Sequence, residues 1–505
     1  LITGYLLPRF FICMHSWHWY TKQSFLSRIP GIAFFWLLLL PIICYKIHLQ
    51  IGLAFISFFI AFWWVKVFKS YFFLTRSFFA IKRSLLFPYA QTNIVRNDAK
   101  NLKHIILIPF YNEPYSIVEM AVKAFENNDY PHKENIVVVL CAEWRSSHAI
   151  EVANELMHRL ESVVSFHLVK IIHPDNRENE WKVKSANITY AMKEVELMMH
   201  LDPKNTFVST IDADTVVEKN FLSVITHTFL NTEERDQAIF QYTPIYSNNW
   251  LRGHFFARIV AMNTTFWQMN ESQNPEFFRN FAVYGMSLHC LQKSDYWDLY
   301  SIVEDGLQYW RSYFAWNGQF RVIPTLAVCH MDLVEDTNIH KTLRAQYKQL
   351  RRWSWGCSDI EYVVPEFAKR PNIPFREKFR KFFYLLFNHL FWSAGPIVLF
   401  YMSSIPTFFQ IHQASLLIFT VPLVVSSIFT FLTISVAIPT VFSLTMMRKY
   451  EKFRPWDYFV NTIQWLLVPL LILTLFSIPA IESQMRLFFG RRLDSFDVTK
   501  KLDRT

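Results

Sequence analysis

Apolar and polar positions along the chain divide it into three zones. Between residues 29 and 65 the only charged residue is Lys46. Runs 29–45 and 47–65 are each about long enough to cross a bilayer, and Lys46-Ile47-His48-Leu49-Gln50 turns between them. The first run is too long for a removable signal peptide and lacks a small-residue cleavage site. Lys66, Lys69, Arg76, Lys82 and Arg83 follow the pair. By the positive-inside rule these place the next domain in the cytoplasm.

From about 101 to 336 short apolar runs alternate with amphipathic stretches. Strands are predicted over 104–110, 135–142 and 163–172, and helices over 114–128, 147–161 and 182–201. A further strand, from Phe207, is predicted to run straight into Asp212-Ala213-Asp214. In an extended segment side chains two apart point the same way, so the two carboxylates would face one point. This alternation predicts a parallel, doubly wound α/β sheet, whose ligands gather at the carboxyl ends of its strands. Those ends carry Asn112-Glu113, Glu143, His173-Pro174-Asp175 and Asp212-x-Asp214, an acidic rim.

The last third is apolar again over 382–402, 414–446 and 458–481, the middle run broken by Pro422 and Pro439. Arg448, Lys449, Lys452 and Arg454 form one basic loop; Arg486, Arg491, Arg492, Lys500 and Lys501 fill the tail. Single crossings would put these two regions on opposite sides, against the charge rule. A double pass or a re-entrant turn near Pro439 would reconcile them. The expected organisation is a segment 1–28, a transmembrane pair 29–72, a globular domain 95–340, interfacial helices 341–378, transmembrane helices 379–482 and a basic tail 483–505.

Composition agrees with a mixed protein. Of 505 residues 52% are hydrophobic, 50 are Phe, and 18% are charged, too many for a pure membrane bundle. The formal net charge of +10 suits anionic headgroups or phosphates. No recognition motif accompanies it, so no nucleic-acid partner is expected. The six cysteines are scattered without a C-x-x-C pair and read as single reduced thiols rather than a disulfide or zinc framework, which favours a cytoplasmic globular part. A G-x-x-x-x-G-K-[ST] phosphate loop is absent, which counts against a nucleotidyl or phosphoryl transferase.

Four further motifs surround the Asp-x-Asp pair. These are Pro109-Phe110-Tyr111-Asn112-Glu113, Trp181-Lys182-Val183-Lys184-Ser185-Ala186-Asn187, Val303-Glu304-Asp305-Gly306, and Gln349-Leu350-Arg351-Arg352-Trp353. In this order, between membrane segments, they make the chain resemble the membrane-embedded family 2 glycosyltransferases of GT-A fold. That group includes cellulose, hyaluronan and chitin synthases and ceramide glucosyltransferase.

The resemblance implies a metal-dependent, inverting hexosyltransferase of a bacterial-type inner membrane, multi-pass, with its catalytic domain cytoplasmic. The donor would be a nucleotide-diphosphate sugar, a UDP-sugar. The acceptor would be a growing polysaccharide or, alternatively, a membrane lipid, and accessory proteins are compatible with either. It further implies that Asp212 and Asp214 hold Mg²⁺ or Mn²⁺ against the diphosphate, Asp214 as the more direct ligand. Glu113 and Glu143 would face the nucleoside, and Lys184 the phosphates, with Asn187 positioning the same loop. Asp305, beside Glu304, would be the base that takes the acceptor proton. Gln349 and Arg352 would hold the diphosphate, and Trp353 would offer a platform to the acceptor sugar. Arg351 is assigned to lipid or solvent. Trp353 and Trp355 are otherwise interfacial anchors of an amphipathic helix. The segment Tyr284-Gly285-Met286-Ser287-Leu288-His289-Cys290 falls where such enzymes form part of the acceptor pocket. His330 reads as a packed core histidine. A catalytically inactive scaffold or transporter would lack a metal ligand or the base, and neither is missing.

Overall fold

The computed structural model describes residues 25–405 except 176, residues 437–493, and isolated positions 423, 426, 427, 430 and 502. Nearly all of the expected segment 1–28, the apolar run 414–446 up to residue 436 apart from those isolated positions, and Lys500 and Lys501 of the tail lie outside the described residues.

The N-terminal apolar runs form helices α1 (Ile29–Ile47) and α2 (Leu49–Leu86), which pack as a hairpin turning at His48. The second helix does not end near residue 65. It runs to Leu86, 38 residues in all, about 57 Å at 1.5 Å per residue, far more than a bilayer requires. Its basic second half docks on the globular domain, where Leu74, Phe78 and Ile81 join the core and the Ser77 hydroxyl donates to Met269 O at 2.7 Å. No helix breaker stands between Val65 and Leu86, so the helix outlasts its apolar stretch.

The domain is built on eight strands: β1 (Lys103–Pro109), β2 (Ile136–Glu143), β3 (His167–His173), β4 (Thr206–Thr210), β5 (Val216–Val217), β6 (Ala238–Tyr246), β7 (Tyr284–Ser287) and β8 (Arg321–Met331). Their order in the sheet is β3-β2-β1-β4-β7-β6-β8-β5. The first four are parallel, as expected, and β2 and β4 are buried along their whole length, as parallel strands covered on both faces must be. Beyond β4 the sheet is mixed: β7 is antiparallel to both neighbours, and β6 and β8 run parallel to each other. The fold is therefore an α/β GT-A domain with a curled mixed sheet. Tyr284–Ser287 is a buried strand of this sheet, and at Gly285 a Cβ would lie 2.3 Å from the Tyr242 hydroxyl. Only the residue leading into it, Ala282, reaches the cleft described below.

Covering helices are α3 (Tyr115–Glu126), α4 (Ser147–Leu160), α5 (Lys184–Met198), α6 (Phe221–Leu230), α7 (Phe255–Glu271) and α8 (Glu304–Ala315). After β8 come α9 (Ile339–Ser354), α10 (Phe375–Ser393), α11 (Gly395–Tyr401) and α12 (Ala437–Met447). A last helical segment, α13 (Pro455–Phe488), contains 3₁₀ and π turns. Among the described residues three helices are long and apolar enough to cross a membrane (Phe25–Ile47, Leu49–Leu86 and Pro455–Phe488), or four if α10 and α11, bent by 51°, count as one span.

Candidate active site

The carboxyl ends of β1, β2, β4, β6 and β8 and the start of β7 meet along one edge of the sheet. There they open a cleft of about 1180 Å³, measured out to its open mouth. Glu113, Glu143, Lys184, Asn187, Asp212, Asp214, Glu304, Asp305, Gln349, Arg352 and Trp353 all line it. These eleven residues thus reach one cavity, from segments up to 240 positions apart in the chain (113 to 353), whereas His173 and Asp175 of the expected acidic rim do not line it.

The Asp-x-Asp pair differs in detail from expectation. β4 stops at Thr210, and Asp212 to Thr215 form a tight turn closed by Thr215 N–H donating to Asp212 O at 2.9 Å. Short Asp side chains and a Thr favour such a turn over continued extension. The carboxylates therefore approach the cleft from two corners of a turn. Asp214 is buried; its Oδ2 accepts from Asp332 N–H at 3.1 Å, and its carbonyl accepts from the Asn248 amide at 2.9 Å. Asp212 is more open, and Lys184 Nζ donates to its Oδ1 at 2.5 Å.

Lys184 is the first residue of α5 and also lies 3.4 Å from Glu304. Burial alone would lower the Lys184 ammonium, but the Asp212 and Glu304 carboxylates outweigh it and hold the group above the ordinary lysine range. Asn187, one turn on, donates to Cys141 O at 2.9 Å and so ties this helix start to β2. Glu304 is buried; burial raises its carboxyl, against the pull of Lys184 and with a further push from Asp305.

Asp305 is held by backbone donors. Ala282 N–H donates to Oδ2 at 2.8 Å and Gly306 N–H to Oδ1 at 2.7 Å, while the Asn280 amide donates to the Asp305 carbonyl at 2.8 Å. Ala282 sits at φ +51°, a left-handed backbone that an alanine adopts at a cost, kept in place by these bonds. Behind Gly306 lies the buried Asp359, whose carboxyl is pushed up to about 8 by burial, with Arg279 opposing and Asp305 reinforcing the shift.

Where the ends of β1 and β2 meet, Glu113 turns back into its own loop, its Oε2 accepting from Tyr111 N–H at 2.7 Å and Asn112 N–H at 3.0 Å. Glu143 is paired with Arg145, whose guanidinium lies 4.6 Å from the Tyr111 ring centre. Arg145 also lines the cleft and was not singled out in the sequence. Its position two residues past a strand-end carboxylate was the available signal.

Gln349, Arg352 and Trp353 lie on α9 at i, i+3 and i+4 and face the cleft together, as their spacing predicted. The surroundings of that helix correct two expectations. Arg351 pairs with Glu482 of α13 at 2.9 Å instead of facing lipid or solvent. Trp355 is fully buried among Val183, Ile302, Val303 and Leu487, so it braces the Lys184 loop and is no interfacial anchor. Both follow from α13 covering that side of α9, a long-range contact that local periodicity does not encode. His330 is a packed histidine as read: its ring bonds Ser247 at 2.7 Å and Glu218 at 3.2 Å.

Two polar cleft residues also escaped the sequence. Tyr246 ends β6, and Asp332 follows β8. Both were legible only once β6 and β8 were known to point to the same edge as β1. With Asp332 included, seven carboxylates line the cleft against the four cations Arg145, Lys182, Lys184 and Arg352. An anionic diphosphate would be repelled by that balance unless a cation accompanied it. Among the described residues no three His, Cys, Asp or Glu groups close around a metal position. The donor chemistry, two carboxylates at one turn, suits a hard divalent ion that takes its remaining oxygens from diphosphate and water.

A curled α/β sheet with an acidic strand-end cleft and a Gln-x-x-Arg-Trp helix defines a glycosyltransferase that uses a nucleotide sugar. The family model of glycosyltransferase like family 2 matches residues 104–356, half of the chain, and the protein belongs to that family. No curated protein matches it. Among solved structures it is similar to the mannosyltransferase PcManGT from Pyrobaculum calidifontis in complex with GDP-Man and Mn²⁺. There the identity is 12%, covering 79% of this chain and 99% of that one, with a TM-score of 0.41. It is also similar to GalNAc-T7 with UDP, GalNAc and Mn²⁺, at 11% identity over 57% of this chain and 58% of that one, with a TM-score of 0.34. Neither likeness is close enough to assign a ligand to this chain.

Proposed function

We propose that the protein is a membrane-embedded, inverting hexosyltransferase that moves a sugar from a UDP-sugar to a growing polysaccharide, at a bacterial-type inner membrane, with its catalytic domain cytoplasmic. The observation that carries this reading is the meeting of Asp212, Asp214, Lys184, Asp305, Arg352 and Trp353 in one cleft. Asp212 and Asp214 would hold Mg²⁺ or Mn²⁺, which when bound supplies Lewis-acid neutralisation of the leaving diphosphate. Lys184, which pairs with Asp212 at 2.5 Å, would meet the phosphates. Arg352 would fork two hydrogen bonds onto the same oxygens. Asp305 would accept the proton of the acceptor hydroxyl as that oxygen attacks the anomeric carbon. One carboxylate suffices, because the diphosphate leaves without needing a proton. Glu304 would keep Lys184 in place, and Glu113 and Glu143, the latter with Arg145, would meet the nucleoside. Accessory proteins are compatible with this reading, and nucleic acid has no place in it.

A second reading, transfer of one or a few sugars to a membrane lipid, is favoured by a different contact. Trp353 packs against the apolar cluster formed with Leu471 and Leu475 of α13, on the membrane-like side of the domain. The polymer reading rests on Gln-x-x-Arg-Trp with a helical bundle beside it. Full-length protein incubated with a panel of labelled UDP- and GDP-sugars and Mn²⁺ separates them by product mass. A ladder of repeating sugars with released UDP is expected; short lipid-linked products alone support the second reading, and GDP release overturns the choice of donor.

Arg352→Lys keeps the charge and loses the fork. It is expected to lower kcat by about 10²-fold, the scale of one lost transition-state donor, with KM for the donor changed much less. Equal losses in kcat and 1/KM would assign Arg352 to ground-state binding.

A further inference from the structure

α13 (Pro455–Phe488) has the length and apolarity of a membrane span, yet it touches the catalytic domain near its start, in its middle and near its end. Near its start the Trp250 indole donates to Asn461 Oδ1 at 2.9 Å, and Trp465 stacks on Phe266 of α7. In its middle Leu471 and Leu475 are buried with Phe256, Val260 and Leu350 of α7 and α9. Towards its end Ser483 bonds Ser354 at 2.8 Å and Glu482 meets Arg351, and Leu487 is buried with Val183 and Trp355 behind the Lys184 loop. Asn461 and Leu487 are about 39 Å apart along a helix, more than the thickness of a hydrocarbon core of about 30 Å. A helix that crossed would leave the domain after its first turns.

Its two flanks are also fastened to the domain. Lys449, before it, pairs with Glu218 at 2.5 Å, and Arg492, after it, pairs with the buried Glu361 at 2.6 Å. The two basic regions that single crossings would have placed on opposite sides therefore both touch the same domain. The opposite face of the helix is an exposed apolar stripe: Trp456, Phe459, Ile463, Leu466, Leu470 and Ile478, spaced at helical intervals. The far end meets the start of α1, where a Cβ on Gly31 would lie 2.9 Å from Phe488. The stripe is thus continuous with a hairpin that enters the bilayer.

We propose that Pro455–Phe488 does not cross the membrane but lies in the plane of the leaflet next to the catalytic domain. One face forms the floor under the Gln349–Trp353 helix, and the other is sunk among lipid acyl chains. The partner is a lipid monolayer with anionic headgroups, met by Lys452 and Arg454 at one end and Arg486 and Arg491 at the other. Trp353 then lies directly above the membrane surface, which places the acceptor end of the cleft at headgroup level.

The inference rests on the membrane-embedded reading of the α1–α2 hairpin, and the test keeps the two apart. Full-length Lys452→Cys, Arg491→Cys, Glu161→Cys and Gln50→Cys variants are labelled in sealed proteoliposomes with a membrane-impermeant maleimide, against the unsubstituted chain. Lys452→Cys and Arg491→Cys are expected to label from the same face as Glu161→Cys on the catalytic domain, and Gln50→Cys from the other. Labelling of Lys452→Cys and Arg491→Cys from opposite faces overturns the inference. Labelling of Gln50→Cys from the domain's face overturns the hairpin on which it rests. Nitroxides placed by Ile463→Cys, Leu470→Cys and Ile478→Cys are expected at one common depth; a marked maximum at 470 would make the segment re-entrant and overturn the in-plane assignment.

Discussion

Asp305→Asn removes sugar transfer and leaves UDP binding within about threefold of the unsubstituted protein. The expected loss in kcat is about 10²–10⁴-fold, the contribution of a positioned general base. The substitution is nearly isosteric. One amide oxygen still accepts from Ala282 or Gly306, and the other bond is lost at a net cost of roughly 1 kcal/mol, too little to unfold the domain. Single-turnover kinetics with a labelled donor, beside calorimetric titration with UDP, measure the two quantities separately. If UDP binding falls in step with transfer, Asp305 acts on the donor and the base lies elsewhere. Activity within tenfold of normal would remove Asp305 from the chemistry.

Asp214→Asn separates metal-dependent from metal-independent binding. Asp214 is buried and one of its oxygens already takes the Asp332 N–H, so an asparagine retains that hydrogen bond and loses the charge. Mn²⁺-stimulated UDP binding is expected to fall by about 10²-fold or more, since a Lewis-acid cation contributes several kcal/mol and about 1.4 kcal/mol is a factor of ten. UDP binding in excess chelator should change little. Titration of each variant with UDP, with and without Mn²⁺, shows which holds; a variant that keeps its Mn²⁺ response would shift the metal away from this turn. Asp212→Asn offers a second readout, because Lys184 loses the nearer of its two carboxylate partners, at 2.5 Å, and keeps Glu304 at 3.4 Å.

Much of this site was legible because its parts are local. A strand end, a helix start and an i, i+3, i+4 spacing each announce themselves within a few residues, and the sheet's parallel half brings the first of them to one edge. Non-local pairing was not legible. β7 runs antiparallel and β6 and β8 parallel, and only that arrangement reveals Tyr246, Ala282 and Asp332 as cleft residues. The extended geometry expected at Asp212 and Asp214 gave way to a turn, because β4 loses its β1 partner beyond Thr210. Arg351 and Trp355 looked like membrane-facing residues since α9, taken alone, is strongly amphipathic. What covers them arrives from α13, about 130 residues later in the chain (351 to 482). Helix α2 was read as ending where its charges begin, although charged residues are good helix formers and nothing breaks the run.

The central claim is that one base, Asp305, acts in a single displacement on a metal-held nucleotide sugar. Inversion is the direct consequence, and the anomeric configuration of the new linkage reads it. Proton NMR of the product formed from an α-linked UDP-sugar by the full-length protein is expected to show a β-linkage, identified by its large H1–H2 coupling when the transferred sugar is glucose-configured. An α-linked product would mean retention, which a lone base opposite the leaving group does not produce, and would contradict the account.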